Sequence, residues 1–395
     1  MTDRSLFGRL DWVSLSVMGV LSFLGLLVIR VATETTAGLT TDPLHFVKRQ
    51  IIWIVLGAIA ILVVARIPYN SWGKYIPYLY WGTVGLLMFA LVHGHAALGS
   101  SRWIGTQSVQ IQPSEFAKIS IIIFLAYHLN QKESLKRWRD LVSPIAYAAF
   151  PMLLILKQPD LGTTLVFVVI LITMLYMAGA PGWRLALLFG GGFLLVVVWI
   201  WAHLNLHIGS HSVPLPFMSS YQLYRLLIFL HPNTDPLGAG YNIIQSKIAA
   251  GTGGIWGTGL LGTPPSQLAM LPESYTDFIF AVVTDTLGFV GAVGVLVLYF
   301  ILIARGLSIA VAAKDRLGTL LAVGVVGMLA FHVVENAGMA IGVMPVAGVP
   351  LPFMSYGGSA YLTDALGIGV LMNVFLRRDT LMFIASRTPA RPTGA

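Results

Sequence analysis

The chain has 395 residues, 56% hydrophobic and only 10% charged, with a mean hydropathy of +0.81 and a net charge of +8. About a quarter of the residues in an ordinary soluble domain are charged, so these proportions exclude a protein whose whole surface meets water. The absence of cysteine excludes disulfides, thiolate metal sites and cysteine nucleophiles, and the positive balance fits anchoring to anionic lipid better than nucleic-acid binding.

A short polar start with Arg4 and Arg9 precedes an apolar run from Trp12 to Ala32. That run is too long for a signal-peptide core, and RVATETT offers no convincing cleavage site, so a retained helix is expected. Further apolar runs lie at 50–66, 75–94, 115–130, 141–156, 161–180, 184–204, 279–304, 318–343 and 359–376. The expected fold class is therefore an all-α polytopic membrane protein with about ten transmembrane helices. Lys and Arg concentrate in alternate connections: Arg66 and Lys74, then Lys132, Lys136, Arg137 and Arg139, then Arg184, then Arg305, Lys314 and Arg316, then Arg377 and Arg378. The positive-inside rule then puts both termini in the cytoplasm and the large loop 205–278, between the seventh and eighth spans, outside. Within that loop, Tyr221–Leu230 and Tyr241–Ala250 are too short to span and read as interfacial helices. Residues 1–386 read as one transmembrane domain, and 387–395, rich in Pro and Arg, as a disordered cytoplasmic tail.

Charges at membrane depth cost several kcal/mol, so each needs a partner or a task. Glu115 and Lys118 stand at i and i+3 in QPSEFAKIS, either as a helix-pairing ion pair or as part of a ligand-facing cluster. Asp160 in KQPDLGTT has the form of a helix N-cap, with a functional role as the other reading. His332 is expected to make a core hydrogen bond with Glu335 or Asn336, and Asp364 to be structural. Trp53, Trp72, Trp81 and Trp183 read as interfacial belt residues. Asp277 stands where the chain re-enters an apolar run. It is the candidate for chemistry, as a general base, although the TDF start also reads as a cap. A helix N-terminus would favour its ionised form and burial would oppose it. Asp285, eight residues on, would lie about 12 Å along a helix, too far to share a proton with Asp277. Walker, HExxH and GxSxG motifs are absent, and SYGGS at 355–359 reads as a broken-helix turn.

Six ordered motifs run along nearly the whole chain: SSRWI at 100–104, QPSEFAKI at 112–119, QPDLGTTL at 158–165, DPLGAGYNIIQSKIAAGTGG at 235–254, LPESYTDFIFAV at 271–282 and PVAGVPLPFMSYGGS at 345–359. Through them the chain resembles the SEDS family (shape, elongation, division and sporulation), and its RodA branch through the PVxGxPLP form. Departures from the family pattern fall at Thr258, Pro264, Ser274, Tyr275 and Thr286.

The resemblance implies the SEDS ten-helix bundle and a peptidoglycan glycosyltransferase that polymerises lipid II during cell elongation at the outer face of the bacterial cytoplasmic membrane. The family's essential acid matches Asp277, which would deprotonate the GlcNAc 4-hydroxyl of the acceptor, with undecaprenyl pyrophosphate as leaving group. Arg102 and Lys118, then Lys247 and Arg225, would stabilise the pyrophosphate, and a divalent cation (Mg or Mn) would serve the same end. Glu115, Lys118 and Asp160 would line the central cavity. The implied partner is a class B penicillin-binding protein, a single-span transpeptidase. The competing readings are a lipid II flippase or transporter, supported by the same polar cluster and by Gly/Pro-interrupted helices, and a scaffold that only positions the transpeptidase.

Overall fold

The computed structural model describes residues 10–34, 44–97, 100–105, 110–205, 207–208, 211–212, 220–238, 240–259 and 271–378. Helices fall on every expected apolar run: α1 (Trp12–Glu34), α2 (His45–Arg66), α3 (Ile76–His93), α4 (Pro113–Asn130), α5 (Trp138–Lys157), α6 (Leu161–Met177) and α7 (Gly182–Asn205, with a π-helical turn at Ala186–Gly190). The short α8 (Ser220–Leu230) and α9 (Tyr241–Thr252) occupy the stretch expected to carry interfacial helices. The long helices resume with α10 (Ile279–Val311), α11 (Arg316–Ala340) and α12 (Gly358–Arg377). Sheet is confined, among the described residues, to a small antiparallel arrangement after α3 and a two-residue pairing after α7.

Eight of these helices are long and apolar enough to cross a membrane. Of the remaining two expected spans, α6 is apolar but only 17 residues long, and α4 is too polar for a lipid-facing helix, which its packing explains. Almost every α4 side chain from Pro113 to Leu129 is covered by protein, including Glu115 and Lys118. A helix enclosed by other helices needs no lipid-facing coat and can carry polar groups that find partners. α11 and α12 share this inner position, with 78% of each apolar window buried, against 6% for α7 on the rim. The outer helices turn their apolar surface outward instead, as with Ile51, Ile52, Val55, Leu56 and Ile59 on α2.

Buried polar groups fix the helix ends. Asp315 caps α11 by accepting from the Gly318 amide at 2.8 Å. Asn373 on α12 donates to the Ile67 carbonyl at 2.6 Å and accepts from the Tyr69 amide at 3.2 Å, which pins the end of α2 to α12. Asp11 binds Arg305 at 2.6 Å and ties the chain before α1 to α10.

Two departures from regular helix shape the region that matters below. α10 is broken at Gly288, whose φ of 67° and ψ of −170° are accessible to glycine and strained for other residues. The stretch 253–259 fills the break. Gly254 and Ile255 accept from the Phe289 and Val290 amides at 2.9 and 3.1 Å, while Thr258 and Gly259 donate to the Asp285 and Thr286 carbonyls at 2.9 and 3.0 Å. Backbone groups freed by a break at membrane depth must find such partners. The second departure is the Gly/Pro-rich segment 341–357 between α11 and α12, which is irregular, as SYGGS led us to expect.

Candidate active site

The turn that leads into α10 starts at Glu273, a non-glycine residue at φ 54°. Its carbonyl accepts from the Thr276 and Phe278 amides, each at 3.2 Å, and its carboxylate accepts from the Thr276 hydroxyl at 2.9 Å. The carbonyls of Tyr275, Thr276 and Asp277 are each held from outside the turn. Tyr275 O accepts from the Tyr356 amide at 2.9 Å. Thr276 O accepts from the Ser355 hydroxyl at 2.7 Å, and that hydroxyl itself accepts from the Leu351 amide. Asp277 O accepts from the Asn336 side chain at 2.7 Å, and the same amide group donates to Val349 O at 2.8 Å. α11 and the segment 341–357 thus fix the backbone beneath the Asp277 side chain.

Asp277 does not cap α10, the alternative to its reading as a base. The cap position falls on Phe278 and carries no side-chain bond. The Asp277 carboxylate instead lies against Gly348, where an added Cβ would sit 3.1 Å from Oδ2; Gly348 also has φ 73°. Burial is the largest influence on Asp277 and pushes its carboxyl from 3.8 up to about 7; Glu273 and Asp160 push the same way, against Arg225 and Arg102.

Asp160 lies close enough to act on Asp277 because of one tight contact. A Cβ at Gly162 would stand 2.5 Å from Ala347 O, so the first turn of α6 packs directly on the segment that carries Gly348. Asp160 is the N-cap of α6, as its local sequence indicated, accepting from the Thr163 amide and hydroxyl, both at 3.0 Å, and from Gln112 at 3.2 Å. Arg102 lies 3.7 Å from its carboxylate and donates to the Gln158 and Pro159 carbonyls at 3.0 and 2.5 Å. Arg225, half-buried on α8, also lies within electrostatic reach of Asp277. Lys247 is exposed on α9 with its stem against Gly342, and Ser246 beside it donates to Ala340 O at 2.8 Å, docking α9 on the end of α11.

Glu115 and Lys118 join a different group. Lys118 lies 2.7 Å from Glu115 and 3.2 Å from His332 Nε2, and His332 Nδ1 lies 3.5 Å from Asp364. All four side chains are almost fully covered. His332 therefore meets Lys118 and Asp364 rather than Glu335 or Asn336, because its neighbours on α11 point elsewhere. Glu335 was expected only as a core partner. It is buried, and its carboxylate lies within reach of the Ala347 backbone and of the Asp277 charge. Nothing in the local sequence signals this, since it depends on α11 passing under the 273–278 turn. Asp285 is buried with its carboxylate accepting from Thr252 at 2.7 Å, well inside the knot at the α10 break. Among the described residues no three His, Asp or Glu side chains converge to hold a metal ion.

A family model described as "Cell cycle protein" (FtsW/RodA/SpoVE) matches residues 11–379. A probable peptidoglycan glycosyltransferase FtsW of Trichlorobacter lovleyi is 36% identical, with 92% of each chain aligned. The peptidoglycan glycosyltransferase MrdB of Escherichia coli is 37% identical over 94% of this chain and 96% of its own length. Among solved structures, one reported for the coordination of polymerization and crosslinking by a peptidoglycan synthase complex superposes with a TM-score of 0.76 at 29% identity, covering 94% of this chain and 99% of the other. Fold, site and relatives together define a multi-pass membrane glycosyltransferase. The chain belongs to the FtsW/RodA/SpoVE family, the SEDS family of the sequence resemblance.

Proposed function

We propose that this protein polymerises lipid II into peptidoglycan glycan strands, with Asp277 as the general base. The observation that carries the reading is the pairing of a base poised near neutrality with an immobilised backbone: a carboxyl lifted to about 7 whose own carbonyl and the two before it are held by Asn336, Ser355 and Tyr356. A base works best when its affinity for the proton matches the working pH. In the reaction, Asp277 takes the proton from the acceptor GlcNAc 4-hydroxyl, the oxygen bonds to the donor MurNAc C1, and the C1–O bond to undecaprenyl pyrophosphate breaks. A single displacement inverts C1. Arg225 and Arg102 supply positive charge beside the base, and exposed Lys247 is a further cation for the leaving pyrophosphate. Asp160 orients Arg102. Glu115 and Lys118 support the site through the scaffold, by joining α4 to α11.

In this reading the active site faces outward at the cytoplasmic membrane, both termini are cytoplasmic, and 1–386 works as one domain; the tail 387–395 lies outside the described residues. An elongation role follows from the RodA-like motif form, although the FtsW and MrdB relatives stand at nearly equal identity. Likeness to a peptidoglycan synthase complex that coordinates polymerization with crosslinking supports a crosslinking partner for this chain, which we assign as a class B penicillin-binding protein. The deciding experiment is a gel assay of purified protein with labelled lipid II, wild type beside Asp277→Asn, with and without the transpeptidase. Polymer from wild type alone is expected. Polymer from the variant would remove Asp277 from the mechanism, and none from wild type under any condition would favour lipid translocation, measured in liposomes.

A further inference from the structure

Beside Asp277 stands an aromatic wall that the proposed reaction does not use. Phe46, in the first turn of α2, packs on Tyr275 with centroids 4.8 Å apart and planes tilted by 40°, and meets Tyr356 edge-on at 5.1 Å. Tyr275 and Tyr356 lie 5.8 Å apart. All three rings are half-buried, so each keeps part of its surface open. The wall and the base share one support, because the Tyr356 amide binds the Tyr275 carbonyl and the Ser355 hydroxyl binds the next one, two residues and one residue before Asp277.

The chemistry of this surface is neither that of a lipid groove nor that of a sealed core. A prenyl or acyl chain is served by chiefly aliphatic walls, such as the apolar cavity of about 270 Å³ lined by Val63, Ile67, Ile119, Ile123 and Val370 together with Trp72 and Tyr75. Here aromatic rings carry two phenol hydroxyls next to a carboxylate. Burial and the neighbouring Glu273 push the Tyr275 phenol up to about 12, so its hydroxyl remains a proton donor throughout the physiological range. A gluco-configured pyranose holds its polar substituents equatorially, leaving axial C–H groups on both ring faces. Such a face sits favourably on the negative face of an aromatic ring, while phenol hydroxyls reach the equatorial oxygens.

We propose that Phe46, Tyr275 and Tyr356 form a pyranose subsite that stacks one sugar of the glycan substrate beside Asp277. The inference rests on the glycan-polymerase reading and deepens it by assigning a sugar-binding surface.

The test uses the full chain in detergent and a soluble GlcNAc–MurNAc tetrasaccharide, with saturation-transfer NMR as the readout. Saturation should concentrate on the axial ring protons of one sugar. It should persist in Tyr275→Phe, which keeps the ring, and fall by threefold or more in Tyr275→Leu and Phe46→Leu. In the polymerisation assay Tyr275→Leu should raise the KM for lipid II about fivefold while kcat stays within about twofold, the scale of one stacking contact. No contact with the tetrasaccharide, uniform saturation of all its protons, or equal saturation in wild type and Tyr275→Leu would overturn the subsite. So would a lowered melting temperature in the Leu variants with tetrasaccharide contact intact, which marks a packing role only. Selective sugar contact in a wild type that makes no polymer would overturn the polymerase reading and leave the subsite standing; polymer without any contrast among the variants would do the reverse.

Discussion

Two sets of charged residues lie within this bundle, and they are built in opposite ways. Around Asp277 the backbone is fixed from several directions while the residue itself is only half-buried and Arg102 and Arg225 act on it without an ion pair in direct contact. Around Lys118 the side chains themselves are the fixed parts: Glu115, Lys118, His332 and Asp364 touch in series and are closed off from solvent. A group that must exchange a proton with a substrate needs an open face and an immobile base. A group that joins helices needs the reverse, because a buried charge is tolerable only when its partners stay in contact. The difference separates chemistry from scaffold among side chains of the same few polar types, and substitution can break or sharpen it.

The largest effect is expected at the open set. Asp277→Asn should lower polymer formation by about two to four orders of magnitude, measured by gel with labelled lipid II, while the melting temperature holds or rises. Residual activity near wild type would erase the distinction. The closed set should answer in stability. Lys118→Ala leaves Glu115 and His332 without their shared partner, and breaking a buried pair costs about 3–5 kcal/mol. Its melting temperature and its activity should therefore fall together; a large loss of activity with unchanged melting would make Lys118 a ligand of the substrate.

A third prediction sharpens the open set through pH. The folded-state value of Asp277 lies near 7, above 3.8 for the free side chain, so between about pH 4 and 7 the folded protein keeps a proton that the unfolded chain has released. Stability from this group should fall as pH rises through that window and level off above 7, while the rate rises about tenfold per unit below 7 and then levels. Asp277→Asn should lose this part of the stability slope. A rate flat from pH 5 to 8 would contradict the base assignment. The smallest effect belongs to the supports: Ser355→Ala removes the bond to Thr276 O and the acceptor for the Leu351 amide. About 1 kcal/mol of stability should be lost, with a several-fold drop in kcat at constant KM.

Local signals in the sequence reached some of this and missed the rest for a consistent reason. Asp160 was legible because QPDLGTT contains the cap, the acceptor geometry and the helix start within a few residues. The long helices were legible because lipid selects apolar runs of fixed length. α4 looks weaker as a span because protein covers it and lets it carry polar side chains, whereas α6 is apolar and merely one residue or so too short. Asp277 is recognisable as a carboxylate at a boundary, and of its two readings the cap falls away because the turn closes from Glu273 and the cap position is Phe278. The pairing of Lys118 with His332 joins residues 214 positions apart, and Glu335 owes its position near Asp277 to the same long-range crossing of α11. Contacts of that span are set by the packing of whole helices and leave no periodicity behind.

The break at Gly288 bears on how the protein is made. A continuous helix of 33 residues would extend about 50 Å, well beyond a hydrocarbon layer of about 30 Å. Divided at Gly288, the portion that follows is long enough to be threaded into the bilayer during synthesis, whereas the preceding turns can settle only once 253–259 has folded back to occupy the break. Insertion and maturation of the site are thereby separate events. A substitution that weakens the 253–259 contacts should yield protein that reaches the membrane at normal levels and resists extraction, yet is cut by protease near the 273–278 turn.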